Sequence, residues 1–211
     1  ADPGKPDAQE SRGLGDVYKR QDVIILGRSD EFIPVDTESI RREDVEFALK
    51  WSKEHNLDLI VSTDGDSDRP LISDENGKWI RGDIIGILVS DYLNADSVST
   101  PITSNTALEI ANKGKNIFRT KIGSPFVIES MIKSSKNYSR VVGFEANGGF
   151  LTGSDFVINN QKLASLPTRD ALLPIIVVIE LSKKFADLIL GGNVITTLPE
   201  KLACAGACNL A

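Results

Sequence analysis

The stretch Leu57-Asp58-Leu59-Ile60-Val61-Ser62, followed after Thr63 by Asp64-Gly65-Asp66-Ser67-Asp68-Arg69, decides how this chain is organised. Its first half is rich in Leu, Ile and Val and predicts a buried strand. Its second half predicts a tight turn at the C-terminal end of that strand, which is where ligands usually lie in α/β sheets.

The turn carries three carboxylates at alternate positions, those of Asp64, Asp66 and Asp68. Three like charges so close together repel one another, and desolvation adds to the cost. A hard divalent cation removes this conflict, because Mg²⁺ prefers oxygen ligands and often shares them with a phosphate. The turn therefore predicts a magnesium site that also handles phosphate.

Three other interpretations of the turn stay open. Residues 64–75 match part of a calcium-binding loop, with Asp at positions one, three and five and Glu at position twelve, but Arg69 stands where that loop needs Gly. A phosphatase of the haloacid-dehalogenase type ends a strand in Asp-x-Asp-x-Thr, which Asp64 and Asp66 match, while Asp68 takes the place of Thr. The third interpretation is a solvated acidic turn without a ligand.

Composition limits the classes of function. The 211 residues are 41% hydrophobic and 26% charged, which is ordinary for a soluble globular protein. The net charge of −6 and the lack of a basic stripe argue against a nucleic-acid partner. The sequence has no run of eighteen apolar residues and no signal-peptide core, so we expect no membrane partner and a cytoplasmic location.

Changes of composition along the chain predict four parts. Residues 1–21 resemble a non-native or disordered leader, and residues 22–80 and 81–198 form two folded units. Residues 199–211 form an atypical tail, to which the two cysteines Cys204 and Cys208 belong. A lone Cys-x-x-x-Cys is poor evidence for zinc, and we assign it no function.

Apolar periodicity and turn residues predict strands alternating with helices, which is typical of α/β layers. The predicted strands are Val23–Leu26, Leu57–Ser62, Val98–Ile102, Asn116–Thr120 and Arg140–Phe144. The predicted helices are Arg42–Glu54, Gly82–Leu93, Asn105–Lys113, Ser124–Lys133 and Thr168–Phe185. The first has Val45, Ala48, Leu49 and Ser52 on one face. Ser124 caps the fourth helix, and Thr168 caps the fifth, which is kinked at Pro174.

In each folded unit a predicted strand ends in an acidic residue followed by glycine. The first case is Asp64-Gly65, and the second is Glu145-Ala146-Asn147-Gly148-Gly149. Two such loops on adjacent α/β units could face a shared cleft.

Together these loops resemble those of the α-D-phosphohexomutase family, which includes bacterial phosphomannomutases and phosphoglucomutases. The metal loop of that family is Asp-Gly-Asp-x-Asp-Arg, and residues 64–69 match all of its specified positions. Residues 143–149 are similar to its sugar loop, Gly-Glu-x-Ser-Gly-His, and residues 119–123 to the segment before a helix of its third domain. The resemblance runs from about residue 22 to residue 198.

The resemblance implies two consecutive α/β units with mixed sheets flanked by helices, corresponding to most of the second domain and the third domain of a four-domain enzyme. Members of the family carry phosphate on a serine and interconvert hexose 1-phosphate and 6-phosphate through a bisphosphate intermediate. By this resemblance Asp64, Asp66 and Asp68 would hold Mg²⁺ against the phosphoserine.

The resemblance also implies a binding site for the hexose phosphate. Arg69 would supply a fixed positive fork suited to phosphate or sugar oxygens. Lys121 would lie near phosphate as a point charge or proton relay. Glu145 would accept hydrogen bonds from sugar hydroxyls, and Asn147, which stands where the family has Ser, can still bind a hydroxyl.

The departures from the family pattern shape the prediction. Gly149 replaces the histidine of the sugar loop, and the chain contains neither a Thr-x-Ser-His-Asn-Pro segment with the phosphorylated serine nor an Arg-x-Ser-Gly-Thr phosphate clamp. We therefore expect a fragment of a Mg²⁺-dependent phosphohexomutase that is inactive alone. Two alternatives are a haloacid-dehalogenase-like phosphatase with Asp64 as nucleophile and a non-enzymatic module that binds metal or sugar phosphate.

Overall fold

A computed structural model describes residues 23–111 and 114–188. By its contacts the chain divides into residues 1–33 and a second unit from Pro34 onward. In the first unit, residues 23–33 form neither helix nor strand, and the side chains of Val23 and Ile25 are 65% and 77% exposed. The predicted buried strand Val23–Leu26 is therefore wrong, because four apolar residues do not make a strand unless a neighbouring strand supplies hydrogen bonds.

The second unit is a mixed α/β structure with sheets flanked by helices, as expected. Its described helices are α1 (Arg42–His55), α2 (Gly82–Tyr92), α3 (Ala107–Ala111), α4 (Ser124–Ser134) and α5 (Leu172–Leu188). Its described strands are β1 (Ile60–Thr63), β2 (Pro70–Ser73), β3 (Trp79–Ile80), β4 (Ser97–Pro101), β5 (Asn116–Thr120), β6 (Val141–Phe144), β7 (Phe150–Thr152), β8 (Phe156–Ile158) and β9 (Gln161–Leu163).

The smaller of the two principal sheets is an antiparallel meander in the order β1-β2-β3. Strand β1 starts at Ile60 rather than at Leu57, and the side chain of Val61 is 44% exposed. The expectation of a buried strand at this place is wrong, because β1 is an edge strand of an antiparallel sheet, which can face water on one side. The expected strand, helix, strand order of this part is replaced by one helix and the meander.

The larger sheet has the order β5-β4-β6-β7, in which β4 runs parallel to β5 and β6 while β7 is antiparallel to β6. Alternate residues of β6 point to opposite faces. A side chain at Gly143 would meet Val127 and Met131 of α4, whereas Phe144 meets Gly86 of α2. Helices therefore cover both faces, and the main core lies between the sheet and helices α2 and α5.

Helix α5 begins at Leu172 rather than at Thr168. Its cap is Asp170, whose Oδ1 accepts hydrogen bonds from the N–H groups of Leu172 at 2.8 Å and Leu173 at 3.4 Å. The predicted Thr168 cap is wrong, because Asp170 has the carboxylate closest to the free N–H groups. Pro174 lies in the first turn, where its missing N–H costs no intrahelical hydrogen bond, so the reason for a kink is gone.

Two other helices differ in detail from the expectation. The side chain of Ser124 makes no capping hydrogen bond, because Ser124 is the first residue inside α4 and follows Gly123. Helix α3 starts at Ala107, whose N–H binds the Asn105 side chain at 2.8 Å, so Asn105 precedes the helix instead of belonging to it. Residues 112–113, where the predicted helix ends, lie outside the described residues.

The four residues predicted to share one face of α1 differ in burial. Ala48 and Ser52 are buried, whereas Val45 and Leu49 are 36% and 41% exposed. Helix α1 lies close to the connection between β2 and β3 at Gly77, where any side chain would collide with the Ala48 carbonyl.

Several predictions about the ends of the chain lie outside the described residues. These are the leader at residues 1–21, the tail at residues 199–211 and the role of Cys204 and Cys208. The boundary predicted between residues 80 and 81 stays a prediction. Within the described part of the chain, no helix is both long and apolar enough to cross a membrane.

Candidate functional site

The acidic loop (residues 64–69) is the hairpin connection between β1 and β2, with Thr63 opposite Pro70. The N–H of Asp64 donates to the Arg69 carbonyl at 3.2 Å, which closes the loop. The Asp64 Oδ1 accepts hydrogen bonds from the N–H groups of Asp68 at 3.2 Å and Arg69 at 3.1 Å. Asp64 therefore holds the loop in shape as well as contributing a charge.

The three carboxylates of this loop converge. One oxygen each from Asp64, Asp66 and Asp68 lies within 4.8 Å of the others. Burial raises the pKa of Asp64, and the charges of Asp66 and Asp68 raise it further, against the hydrogen bond from the Arg69 N–H, which lowers it. The charge of Arg69 also lowers the pKa of Asp64, but it offsets the cost of ionising this carboxyl only in part.

The donor set fits a hard divalent cation. Two oxygens on opposite sides of Mg²⁺ lie about 4.2 Å apart, which is close to the observed spread. Among the described residues, Asp68 Oδ1 and Arg69 Nε are buried without a hydrogen-bond partner. The Arg69 Nε lies 3.5 Å from both Asp64 Oδ2 and Asp68 Oδ1, too far for a hydrogen bond. The residues present can therefore hold a metal ion.

The glutamate loop (residues 145–149) is the hairpin connection between β6 and β7. The N–H of Glu145 donates to the Gly149 carbonyl at 3.0 Å, and the N–H of Gly148 donates to the Glu145 carbonyl at 3.0 Å. The Asn147 Oδ1 accepts the N–H of Gly149 at 3.1 Å, and the Asn147 carbonyl accepts the hydroxyl of Thr37 at 2.8 Å. The amide oxygen of Asn147 thus shapes the loop.

The two loops lie against each other. A side chain at Gly148 would lie 3.3 Å from the ring of Pro70, the residue that follows the acidic loop. A side chain at Gly82 would lie 2.3 Å from the Gly148 nitrogen. The start of α2 and the glutamate loop can approach this closely only because both positions are glycine.

Arg169, which is not among the site residues predicted from the sequence, joins the two loops directly. Its Nη1 donates to Asp68 Oδ2 at 2.9 Å and its Nε donates to Glu145 Oε2 at 2.7 Å. Its Nη2 lies 3.4 Å from the hydroxyl of Ser124. No local motif marks Arg169; the available signal was a single basic residue in a loop beside a capping acid, and its partner Asp68 is 101 positions away.

Of the residues predicted from the sequence, Asp64, Asp66, Asp68, Arg69 and Glu145 therefore belong to one connected cluster of charges. Asn147 lies in the same loop as Glu145. Lys121 is exposed, and its Nζ lies 5.6 Å from the centre of the Phe126 ring, a cation–π contact along α4. The contacts of the described residues do not join Lys121 to the cluster.

Sequence comparison places this chain among known proteins. The family model for phosphoglucomutase/phosphomannomutase, alpha/beta/alpha domain III, matches residues 81–189. A phosphomannomutase of Salmonella muenchen is 54% identical over 161 residues, which are 76% of this chain and 34% of that protein. The chain belongs to the phosphoglucomutase/phosphomannomutase family.

Other members of this family extend the comparison. A phosphomannomutase of Sinorhizobium fredii is 45% identical over 161 residues, again 76% of this chain and 34% of that protein. The chain thus spans about a third of the length of the curated relatives it matches. The crystal structure of a phosphoglucomutase/phosphomannomutase family protein from Burkholderia thailandensis has the same fold, with a TM-score of 0.60 at 15% identity, over 83% of this chain and 34% of that one.

Fold and family together decide against two of the alternative interpretations of the acidic loop. A calcium-binding loop of the helix–loop–helix type is wrong, because strands β1 and β2 rather than helices flank residues 64–69. Membership of the phosphoglucomutase/phosphomannomutase family decides against the haloacid-dehalogenase type.

Proposed function

We propose that this chain is a segment of a Mg²⁺-dependent phosphohexomutase of the cytoplasm, which interconverts hexose 1-phosphate and 6-phosphate through a phosphoserine and a bisphosphate intermediate. In this proposal the chain supplies the metal loop and part of the sugar site. The observation that carries it is the contact network in which Arg169 joins Asp68 of the acidic loop to Glu145 of the glutamate loop.

The charges of the network favour a divalent cation. Its members are four carboxylates, from Asp64, Asp66, Asp68 and Glu145, and two guanidinium groups, from Arg69 and Arg169. With every group ionised, two negative charges remain. When bound to the three aspartates, Mg²⁺ would polarise a phosphoryl group and neutralise charge that develops on its oxygens.

The other residues would bind and orient the hexose phosphate. The side chain of Arg69 is 31% exposed, and its guanidinium would donate to a phosphate oxygen. Glu145, 5% exposed and held through Oε2, would accept a sugar hydroxyl at its other carboxylate oxygen. Asn147 would act next to it through its amide nitrogen, and Lys121 would neutralise phosphate charge at the rim.

Calorimetric titration of the full 211-residue chain with Mg²⁺ tests the metal site. Asp66→Asn removes one anionic ligand, and we expect its dissociation constant for Mg²⁺ to rise at least about ten-fold, since changes even to groups that support ligands have effects of this size. Asp58→Asn is the matched control, because it removes the same charge from an exposed position outside the triad. Equal Mg²⁺ affinity in the wild type and in Asp66→Asn would refute the assignment.

A further inference from the structure

The backbone around Arg169 is held in place by hydrogen bonds that do not involve the Arg169 side chain. The segment before α5 lies along β7: the N–H of Thr152 donates to the Leu166 carbonyl at 3.0 Å, and the N–H of Asp170 donates to the Phe150 carbonyl at 2.9 Å. The Asp170 side chain then caps α5. Arg169 therefore projects from a backbone that is hydrogen-bonded immediately beside it, and its side chain is 22% exposed.

The planar guanidinium distributes its donors between two carboxylates. It takes Oδ2 of Asp68 and Oε2 of Glu145. Within the part of the chain that the structure describes, Oδ1 of Asp68 and Oε1 of Glu145 accept no hydrogen bond. One rigid fork thus sets the orientation of both carboxylates, and each keeps one oxygen for another ligand.

Gly149 leaves the space that the stem of Arg169 fills. A side chain at Gly149 would place its first carbon 2.8 Å from Arg169 Cδ and 3.1 Å from Cγ. These atoms are in the middle of the side chain, between a fixed backbone and a doubly bound guanidinium, so they cannot move aside without breaking a contact. Any side chain at position 149 competes with Arg169 for the same place.

We infer that Arg169 is a positioning residue that couples the acidic loop to the glutamate loop, and that Gly149 is the complementary position that makes room for it. A change at either carboxylate is transmitted to the other through the guanidinium. The physical link rests on the contacts alone, whereas its use in coupling metal and sugar phosphate rests on the proposed function.

A metal-free experiment tests the link. Backbone amide NMR signals of the full chain are compared for Gly149→Ala in the wild-type background and in the Arg169→Gln background. In the wild-type background, we expect Gly149→Ala to shift the amide signals of Ser67 and Asp68, because displacing the aliphatic part of the Arg169 side chain also displaces the guanidinium bound to Asp68. In the Arg169→Gln background, we expect these two signals to stay unchanged. Shifts confined to the glutamate loop in the wild type, or equal shifts at Ser67 and Asp68 in both backgrounds, would overturn the inference.

A double-mutant cycle on Mg²⁺ binding tests the consequence. Gly149→Ala should change the Mg²⁺ dissociation constant at least about two-fold in the wild type and not in Arg169→Gln, as for residues that contact each other. Arg42→Gln, which removes a cation from the exposed pair with Glu46 on α1, is the control for net charge and should show no coupling.

The two arms separate the possible failures. If no variant binds Mg²⁺, the proposed metal site fails while the NMR comparison still decides the link. If Mg²⁺ binds and the cycle closes without coupling, the inference fails while the metal site stands. Should Arg169→Gln unfold, Arg169→Lys serves in its place, because a single ammonium group cannot reproduce the two-sided fork. Coupling that persists at full size in Arg169→Lys would contradict the role of the fork.

Discussion

Asp64 combines two properties that conflict with each other. Asp64 organises the loop by accepting two backbone N–H groups, yet its carboxylate is 7% exposed and lies among other acids. Repulsion among the three carboxylates makes this arrangement unfavourable, and a bound cation, as in the proposed function, would relieve it. Because burial and the neighbouring charges raise the pKa of Asp64, the stability of the fold should depend on pH.

The pH dependence of the free energy of unfolding should reveal the raised pKa of Asp64. Its pKa is raised above the ordinary value of 3.8 by burial and then by Asp66 and Asp68. The folded state therefore holds this proton more tightly than the unfolded state, so the stability that protonation contributes is fully present below 3.8 and is lost as the pH rises through the raised pKa.

Asp64→Asn mimics the protonated form at every pH while keeping an oxygen for the loop N–H groups. In EDTA, we expect chemical unfolding to give equal stability for both proteins at acidic pH and greater stability for Asp64→Asn at neutral pH. Excess Mg²⁺ should reverse the order at neutral pH. A wild type that gains stability over Asp64→Asn as the pH rises without metal would contradict the raised pKa.

At the scale of elements, both candidate loops are hairpins whose positions depend on the helices packed beside them. The segment that caps α5 also carries Arg169, so the helix start and the site are structurally linked. Helix α2 contacts β6 through Gly86 and brings Gly82 against the glutamate loop. A substitution that disrupts either of these helix contacts should therefore change the geometry of the site.

The cap of α5 gives a direct test at this scale. Asp170→Ala removes the acceptor for the N–H groups of Leu172 and Leu173, and we expect a loss of about 0.5–2 kcal/mol in the free energy of unfolding. Asp170→Asn keeps a capping oxygen and should lose less. Thr168→Ala, at an exposed position outside the helix, should be close to neutral. A larger loss in Thr168→Ala than in Asp170→Ala would refute the assignment of the cap.

The contact between α2 and β6 gives a second test. In Gly86→Ala the new methyl group would lie 2.4 Å from Phe144 Cγ. We expect net destabilisation in denaturant unfolding, because overpacking costs about 1–3 kcal/mol, more than the roughly 0.5–1 kcal/mol that alanine contributes in a helix.

Phe144→Leu in the Gly86→Ala background should restore part of the loss, because the smaller side chain makes room for the methyl group. Additive losses in the double mutant would mean that the two residues do not compete for space.

At the scale of the whole molecule, the chain holds a charged network in which residues far apart in sequence meet, and it spans about a third of its curated relatives. Its sequence contains no Thr-x-Ser-His-Asn-Pro segment, which in the proposed function would supply the serine that carries phosphate. Under the proposed function, binding of metal and sugar phosphate can therefore be measured apart from turnover in this chain.

We expect the purified 211-residue chain to show no interconversion of mannose 1-phosphate and mannose 6-phosphate in a coupled assay with Mg²⁺ and a bisphosphate activator. The physical reason is that, in the proposed function, the phosphoryl group is stored on the serine of a Thr-x-Ser-His-Asn-Pro segment, which this sequence does not contain. A full-length family member is the positive control. Turnover that scales with the concentration of the chain and is lost in Asp66→Asn would contradict this prediction.

The sequence by itself determined the acidic loop, the glutamate loop, most of the helices and the family, because these depend on local patterns: consecutive acids, glycines and apolar periods. It misjudged Val23–Leu26 and the burial of β1, since an apolar run does not say whether a neighbouring strand will pair with it or cover it. It also could not assign the α5 cap to Asp170 rather than Thr168. Only the tertiary structure decided that Arg169 joins the two loops and that Gly149 makes room for it, because a contact across 101 positions depends on how strands β1, β2, β6 and β7 are arranged and not on any spacing along the chain.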